Sequence, residues 1–118
     1  MIPELSGRDY RWLRLAEKLA HTVTDNHKHG CVIVRGGSIV SVGTNLYANG
    51  VHAEMSAINK SKQDLAGTTI YICRLRKEQA WGLSAPCVKC EALIKESGIR
   101  RVVYSTNDPL NPIFIWRF

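Results

Sequence analysis

The chain has 118 residues, of which 45% are hydrophobic and 22% charged, and 16 Lys and Arg against 10 Asp and Glu leave a net charge of +6. That is one domain, residues 1–118, with room for a single core and the balance of an ordinary folded protein, which excludes disordered and fibrous classes. No apolar run approaches the roughly 20 residues that cross a bilayer. Met1-Ile2-Pro3-Glu4-Leu5 also lacks the basic-then-apolar pattern of a secretion signal, so a cytoplasmic location without membrane partners is expected.

Residues 6–24 read as a helix, with Ser6 as N-cap and Asp9 three positions later. Trp12, Leu13, Ala16, Leu19, Ala20 and Val23 make its apolar face, while Arg8, Arg11, Arg14, Glu17 and Lys18 face solvent. A polar loop, Asp25–Gly30, carries His27, Lys28 and His29. Cys31–Val34 and Ser38–Val42 are β-branched runs around Arg35-Gly36-Gly37, a hairpin whose glycines supply positive φ. Asn45 ends the second strand, and Leu46–Gly50 is a loop.

His52 to Leu65 reads as the second helix, placing His52 and Glu54 in a first turn whose backbone N–H groups are unpaired. Thr68–Cys73 is a third strand, and Arg74–Ala85 a loop of a length that is often functional. The third helix runs from Pro86 to Ser97 before Gly98, with Cys87 and Cys90 on one face of its first turn. Arg101–Ser105 is a fourth strand. The apolar tail Ile113–Trp116 is a fifth strand or a docking segment, and for that reason a homo-oligomer, dimer or larger, is expected. Helix, hairpin and two strand–helix alternations give an α/β fold, a three-layer α/β/α sandwich with a mixed sheet of four to five strands. Its helix N-termini meet at one sheet edge, which brings His52 toward Cys87 and Cys90.

Four cysteines are present. Cys31 and Cys73 sit in apolar strands and read as core residues. Cys87 and Cys90, separated by two residues, complete a three-ligand zinc set with His52. Three protein ligands leave a fourth tetrahedral position for water, as in catalytic sites, and no further Cys or His stands at the spacing of a closed structural site. Glu54 is spare and suited to moving protons. His21, His27 and His29 are not needed as ligands, although His29 is a candidate substrate contact. Trp81 either stacks on a base or covers the core or a subunit contact. Arg74, Arg76 and Lys77 either bind phosphate or form a solvated cluster. The basic charge suits a nucleotide or a nucleic-acid backbone, and equally a plain basic surface.

His52-Ala53-Glu54 followed by Pro86-Cys87-Val88-Lys89-Cys90 matches the signature of zinc-dependent nucleobase deaminases. Over nearly its whole length the chain resembles the cytidine deaminase superfamily, in the branch with histidine as first ligand. That branch includes deoxycytidylate deaminases, tRNA adenosine deaminases, guanine deaminase and polynucleotide cytosine deaminases. The resemblance implies a cytidine deaminase-like fold and one Zn²⁺ per chain on His52, Cys87 and Cys90. It also implies conversion of cytosine to uracil by zinc-activated water, with Glu54 as proton shuttle. By the same resemblance Asn45 touches the substrate's sugar, and the backbone at Ala53, Ser84 and Ala85 holds the pyrimidine edge. Leu93–Tyr104 is similar to the segment after the zinc cysteines of deoxycytidylate deaminases, so a free nucleoside or nucleotide is the expected partner. Single-stranded DNA, tRNA and guanine remain the alternatives.

Overall fold

The computed structural model describes residues 7–24, 28–45, 52–78 and 80–118. In chain order it contains α1 (Gly7–His21), β1 (Lys28–Arg35), β2 (Ser38–Thr44), α2 (Ala53–Lys60), β3 (Thr69–Leu75), β4 (Trp81–Gly82), α3 (Val88–Glu96), β5 (Arg101–Ser105) and β6 (Ile113–Arg117). The strands lie in the order β2-β1-β3-β5-β6, with β4 also paired to β3. β3 and β5 are parallel and the other pairs antiparallel, which makes the sheet mixed. Among the described residues no helix is long and apolar enough to cross a membrane.

The two-residue period of the strands divides the core into two clusters. Val32, Val34, Tyr71, Cys73, Val103 and Ile113 face α1 and pack on Leu13 and Ala16. Their neighbours Cys31, Ile33, Ile70, Ile72, Val102 and Tyr104 face the other way, onto Ala53 and Ala57 of α2 and Ile94 of α3. The result is the expected three-layer sandwich.

Two glycines set how closely the helices approach. A Cβ at Gly30 would lie 2.0 Å from the Ala16 carbonyl oxygen of α1, and one at Gly43 would lie 2.5 Å from that of Ala53 in α2. Both contacts are with backbone, which has little room to move. Glycine at 30 and 43 is what lets a helix rest on each face of the β1–β2 hairpin.

Several boundaries differ from those read in the sequence. α2 stops at Lys60, because Ser61 turns extended and local side-chain bonds take over the backbone. Ser61 Oγ donates to the Gln63 carbonyl at 3.0 Å, and Asp64 Oδ1 accepts from the Ala66 N–H at 3.0 Å, the competition with helix that Ser and Asp offer. α3 starts at Val88 with Cys87 as N-cap, so Pro86 lies just outside the helix. In the hairpin turn only Gly36 takes positive φ, at 60°. The expected loop after β3 contains β4, and the tail is a true strand, β6, antiparallel to β5. Ser6, His27 and the Leu46–Gly50 loop lie outside the described residues.

Asp9, in the first turn of α1, has buried partners on two strands. It is 3% exposed and accepts hydrogen bonds from Arg101 at 2.9 and 2.6 Å and from the Tyr71 hydroxyl at 2.6 Å. This bidentate pair ties α1 to β5 and β3 through the α1-facing core.

Candidate metal and active site

The strand directions bring the start of β1 and the ends of β2, β3 and β5 to one edge of the sheet. His52 and Cys87 are the N-caps of α2 and α3, and neither side chain makes a capping bond. Ser, Thr, Asp or Asn in those places would stabilise each helix by about 1 kcal/mol. The chain forgoes that stability, and the two side chains turn toward each other instead.

His52 Nδ1 lies 3.6 Å from Cys87 Sγ and 3.4 Å from Cys90 Sγ. The three donor atoms are all within 4.8 Å of one another. A tetrahedral zinc ion with bonds of about 2.3 Å to sulfur and about 2.0 Å to nitrogen places those atoms about 3.6 Å apart. The two histidine–cysteine spacings therefore fit a shared zinc ion. Cys90 is buried, while His52 and Cys87 are exposed, which leaves one side of the set open.

Glu54, in the first turn of α2, is 5% exposed. Burial raises its carboxyl above the ordinary range, opposed by its own backbone hydrogen bond, by neighbouring His52 and by a hydrogen bond with Cys90. Burial, then the charge of Glu54, then Cys87 push the Cys90 thiol far upward. Electron-rich groups gathered in this way repel one another. A divalent cation among them offsets the repulsion and favours the thiolates, so the donor chemistry agrees with the geometry.

The other expected site residues divide. His29, at the start of β1, donates its backbone N–H to Asn45 Oδ1 at 2.9 Å, and its Nδ1 lies 3.2 Å from Ser84 Oγ. Ser84 is 3% exposed and donates its N–H to the Ser105 carbonyl at 2.9 Å. This chain of contacts brings His29, Asn45 and Ser84 together just before Ala85-Pro86-Cys87. Ala53 and Ala85 pack with the α2/α3 core. Trp81 packs its side chain against the α1-facing core, on the face of the sheet opposite α2 and α3, which is the core-covering alternative of the two its sequence offers. Cys31 and Cys73 are core residues as expected, and burial raises the Cys73 thiol to about 12.

A family model described as the cytidine and deoxycytidylate deaminase zinc-binding region matches residues 6–106. The chain belongs to this family. It is 36% identical over 115 residues to the riboflavin biosynthesis protein RibD of Actinobacillus pleuropneumoniae, covering 96% of this chain and 29% of that protein. It is 32% identical over 114 residues to a probable cytosine deaminase of Schizosaccharomyces pombe, covering 89% of this chain and 64% of that one. A crystal structure of a diaminohydroxyphosphoribosylaminopyrimidine deaminase/5-amino-6-(5-phosphoribosylamino)uracil reductase from Thermotoga maritima superposes with a TM-score of 0.67 at 32% identity. That match covers 86% of this chain and 30% of that one. The chain thus spans under a third of the riboflavin-biosynthesis relatives. Nothing in the His-Ala-Glu and Pro-Cys-x-x-Cys motifs distinguishes those relatives from other deaminases.

Proposed function

We propose that the chain deaminates the cytosine ring of a free nucleoside or nucleotide, of the deoxycytidylate or cytidine type, to uracil. His52, Cys87 and Cys90 hold one zinc ion per chain, and Glu54 carries the protons. The observation behind this reading is the Glu54 carboxyl, 5% exposed in the first turn of the helix whose N-cap is His52. A structural zinc site has no use for a buried acid at its rim, and burying one is unfavourable.

The chemistry that bound zinc supplies is acidification of water, from a pKa of about 15.7 to about 7. A Glu54 Oε accepts the proton released as the water oxygen bonds to the ring carbon bearing the amine, and hands it to the adjacent ring nitrogen. It then carries a second proton from the new hydroxyl to the amine, which leaves as ammonia. Water is consumed and the ring carbon becomes a carbonyl. Asn45, held by the His29 N–H, faces the sugar in this reading, and the backbone at Ala53, Ser84 and Ala85 borders the ring.

The cytosine deaminase relative supports this substrate class. The riboflavin-biosynthesis relatives favour a second reading, the same amine hydrolysis on a phosphoribosylamino-pyrimidine. Phe114 and Phe118, 48% and 43% exposed at the β6 edge, support a homo-oligomer, a dimer or larger, and the expected setting is cytoplasmic. Ammonia release from cytosine, cytidine, deoxycytidine, their monophosphates, the phosphoribosylamino-pyrimidine, adenosine and guanine tests the substrate. The proposal expects the cytosine nucleosides or nucleotides to be turned over fastest. Turnover of the phosphoribosylamino-pyrimidine alone transfers the assignment to the second reading. Deamination seen only in an oligonucleotide, where the base must be unpaired or flipped, overturns the free-substrate assignment.

A further inference from the structure

We infer that Arg74 and Arg76 form an anion subsite for a phosphate on the substrate, so that the enzyme acts on a phosphorylated pyrimidine; this rests on the deamination reading above. Strand alternation fixes the face. Ile70 and Ile72 point into the α2/α3 core while Tyr71 and Cys73 point toward α1, so Arg74 projects on the α2/α3 side. Gly82 of β4 pairs with Arg74, and a Cβ there would lie 3.0 Å from Arg74 Cδ and 3.0 Å from Arg76 Cγ. Both arginine stems are therefore laid side by side over a glycine floor.

Two arginine stems converge on one glycine, and the protein does little to neutralise their charge. Glu78 Oε1 is 3.7 Å from Arg76 Nε with both side chains well exposed, an ion pair worth little in water. The Nε atoms of Arg74 and Arg76 are shielded from solvent and have no hydrogen-bond partner among the described residues. No described residue bonds to the rest of the Arg74 guanidinium. A shielded, unsatisfied cationic donor is unfavourable unless a ligand completes it. Two forked donors on neighbouring stems suit the several oxygens of a phosphate.

The position suits a substrate anchored in the metal site. Arg74 is the cross-strand partner of His29, also on the α2/α3 face, and His29 Nδ1 is 3.2 Å from Ser84 Oγ. Ser84 precedes Cys87 by three residues, a reach of at most about 10 Å. Arg74 thus shares the sheet face of the metal ligands and lies one cross-strand position from the His29–Ser84 contact that leads to Cys87.

The test uses the zinc-loaded full chain and its Arg74→Met and Arg74→Lys variants, with equal zinc content verified for each. Methionine keeps the stem over Gly82 and removes the charge. Inorganic phosphate binding, read by calorimetry, is expected to weaken at least about tenfold in Arg74→Met and less in Arg74→Lys. Wild-type kcat/KM is expected to favour a pyrimidine monophosphate over its nucleoside. That preference should fall at least about tenfold in Arg74→Met, chiefly through KM, and persist in Lys18→Met on the α1 surface. Equal phosphate binding by wild type and Arg74→Met, or wild-type turnover indifferent to the phosphate, overturns the subsite. If no pyrimidine is deaminated yet phosphate binding still depends on Arg74, the deamination reading fails and the anion site stands.

Discussion

Replacing Gly43 with alanine should damage the metal site from a distance. The added Cβ would stand 2.5 Å from the Ala53 carbonyl oxygen, 2.6 Å from the Ala57 nitrogen and 3.1 Å from the Ala57 Cβ. Ordinary contact begins near 3.4 Å, so α2 must retreat from β2 by about 0.9 Å. Its first turn carries Glu54 and its N-cap is His52, whereas Cys87 and Cys90 belong to α3 and stay behind. Overpacking of this kind costs about 1–3 kcal/mol, or about 4–12 °C in Tm at this chain length. A displacement of about 1 Å between catalytic groups lowers turnover about 100-fold. Zinc affinity, measured by competition with a colorimetric chelator, should fall in parallel. Gly30→Ala is the control. Its Cβ would meet α1 backbone at 2.0 Å, so it should destabilise the fold at least as much, yet it lies on the face away from α2. Measured well below both melting temperatures, Gly30→Ala should keep zinc affinity and Gly43→Ala should lose it. Equal zinc affinity in both variants would refute the reasoning.

Two further outcomes follow from the contacts. Asp9→Ala leaves Arg101 and the Tyr71 hydroxyl without their shared partner in a buried setting and should cost about 3–5 kcal/mol in denaturant unfolding, whereas Tyr71→Phe, which removes one hydrogen bond, should cost about 1 kcal/mol. Chelation of zinc should lower Tm by an amount that grows with the ratio of zinc concentration to Kd, and zinc added back should restore it; a Tm indifferent to chelator would contradict ligation by His52, Cys87 and Cys90.

The site was far more legible in the sequence than its surroundings. His52, Glu54, Cys87 and Cys90 carry their chemistry in local spacing, and each stands near a helix start that the apolar pattern already marks. The hairpin, β3 and β5 declare themselves by β-branched runs. What stayed hidden depends on contacts distant in sequence. Asp9 meets Arg101 across 92 positions, a pairing that no local pattern shows. Trp81 belongs to a two-residue strand too short to show a period, and only its pairing with Leu75 fixes which face it occupies. The end of α2 is decided by Ser61 and Asp64 bonding to nearby backbone, a competition that apolar periodicity does not register. Nor does any motif reveal that His29, Asn45 and Ser84 form one linked group.

The most direct measurement is deamination by a zinc-loaded Glu54→Gln variant, with bound zinc quantified in the same sample. Glutamine keeps the size and hydrogen-bonding capacity of the side chain but cannot carry a proton. Zinc should remain at one ion per chain while kcat falls by about 10²–10⁴. Near-normal turnover with zinc in place would contradict the assignment of Glu54 as the proton carrier, and with it the reading of the site.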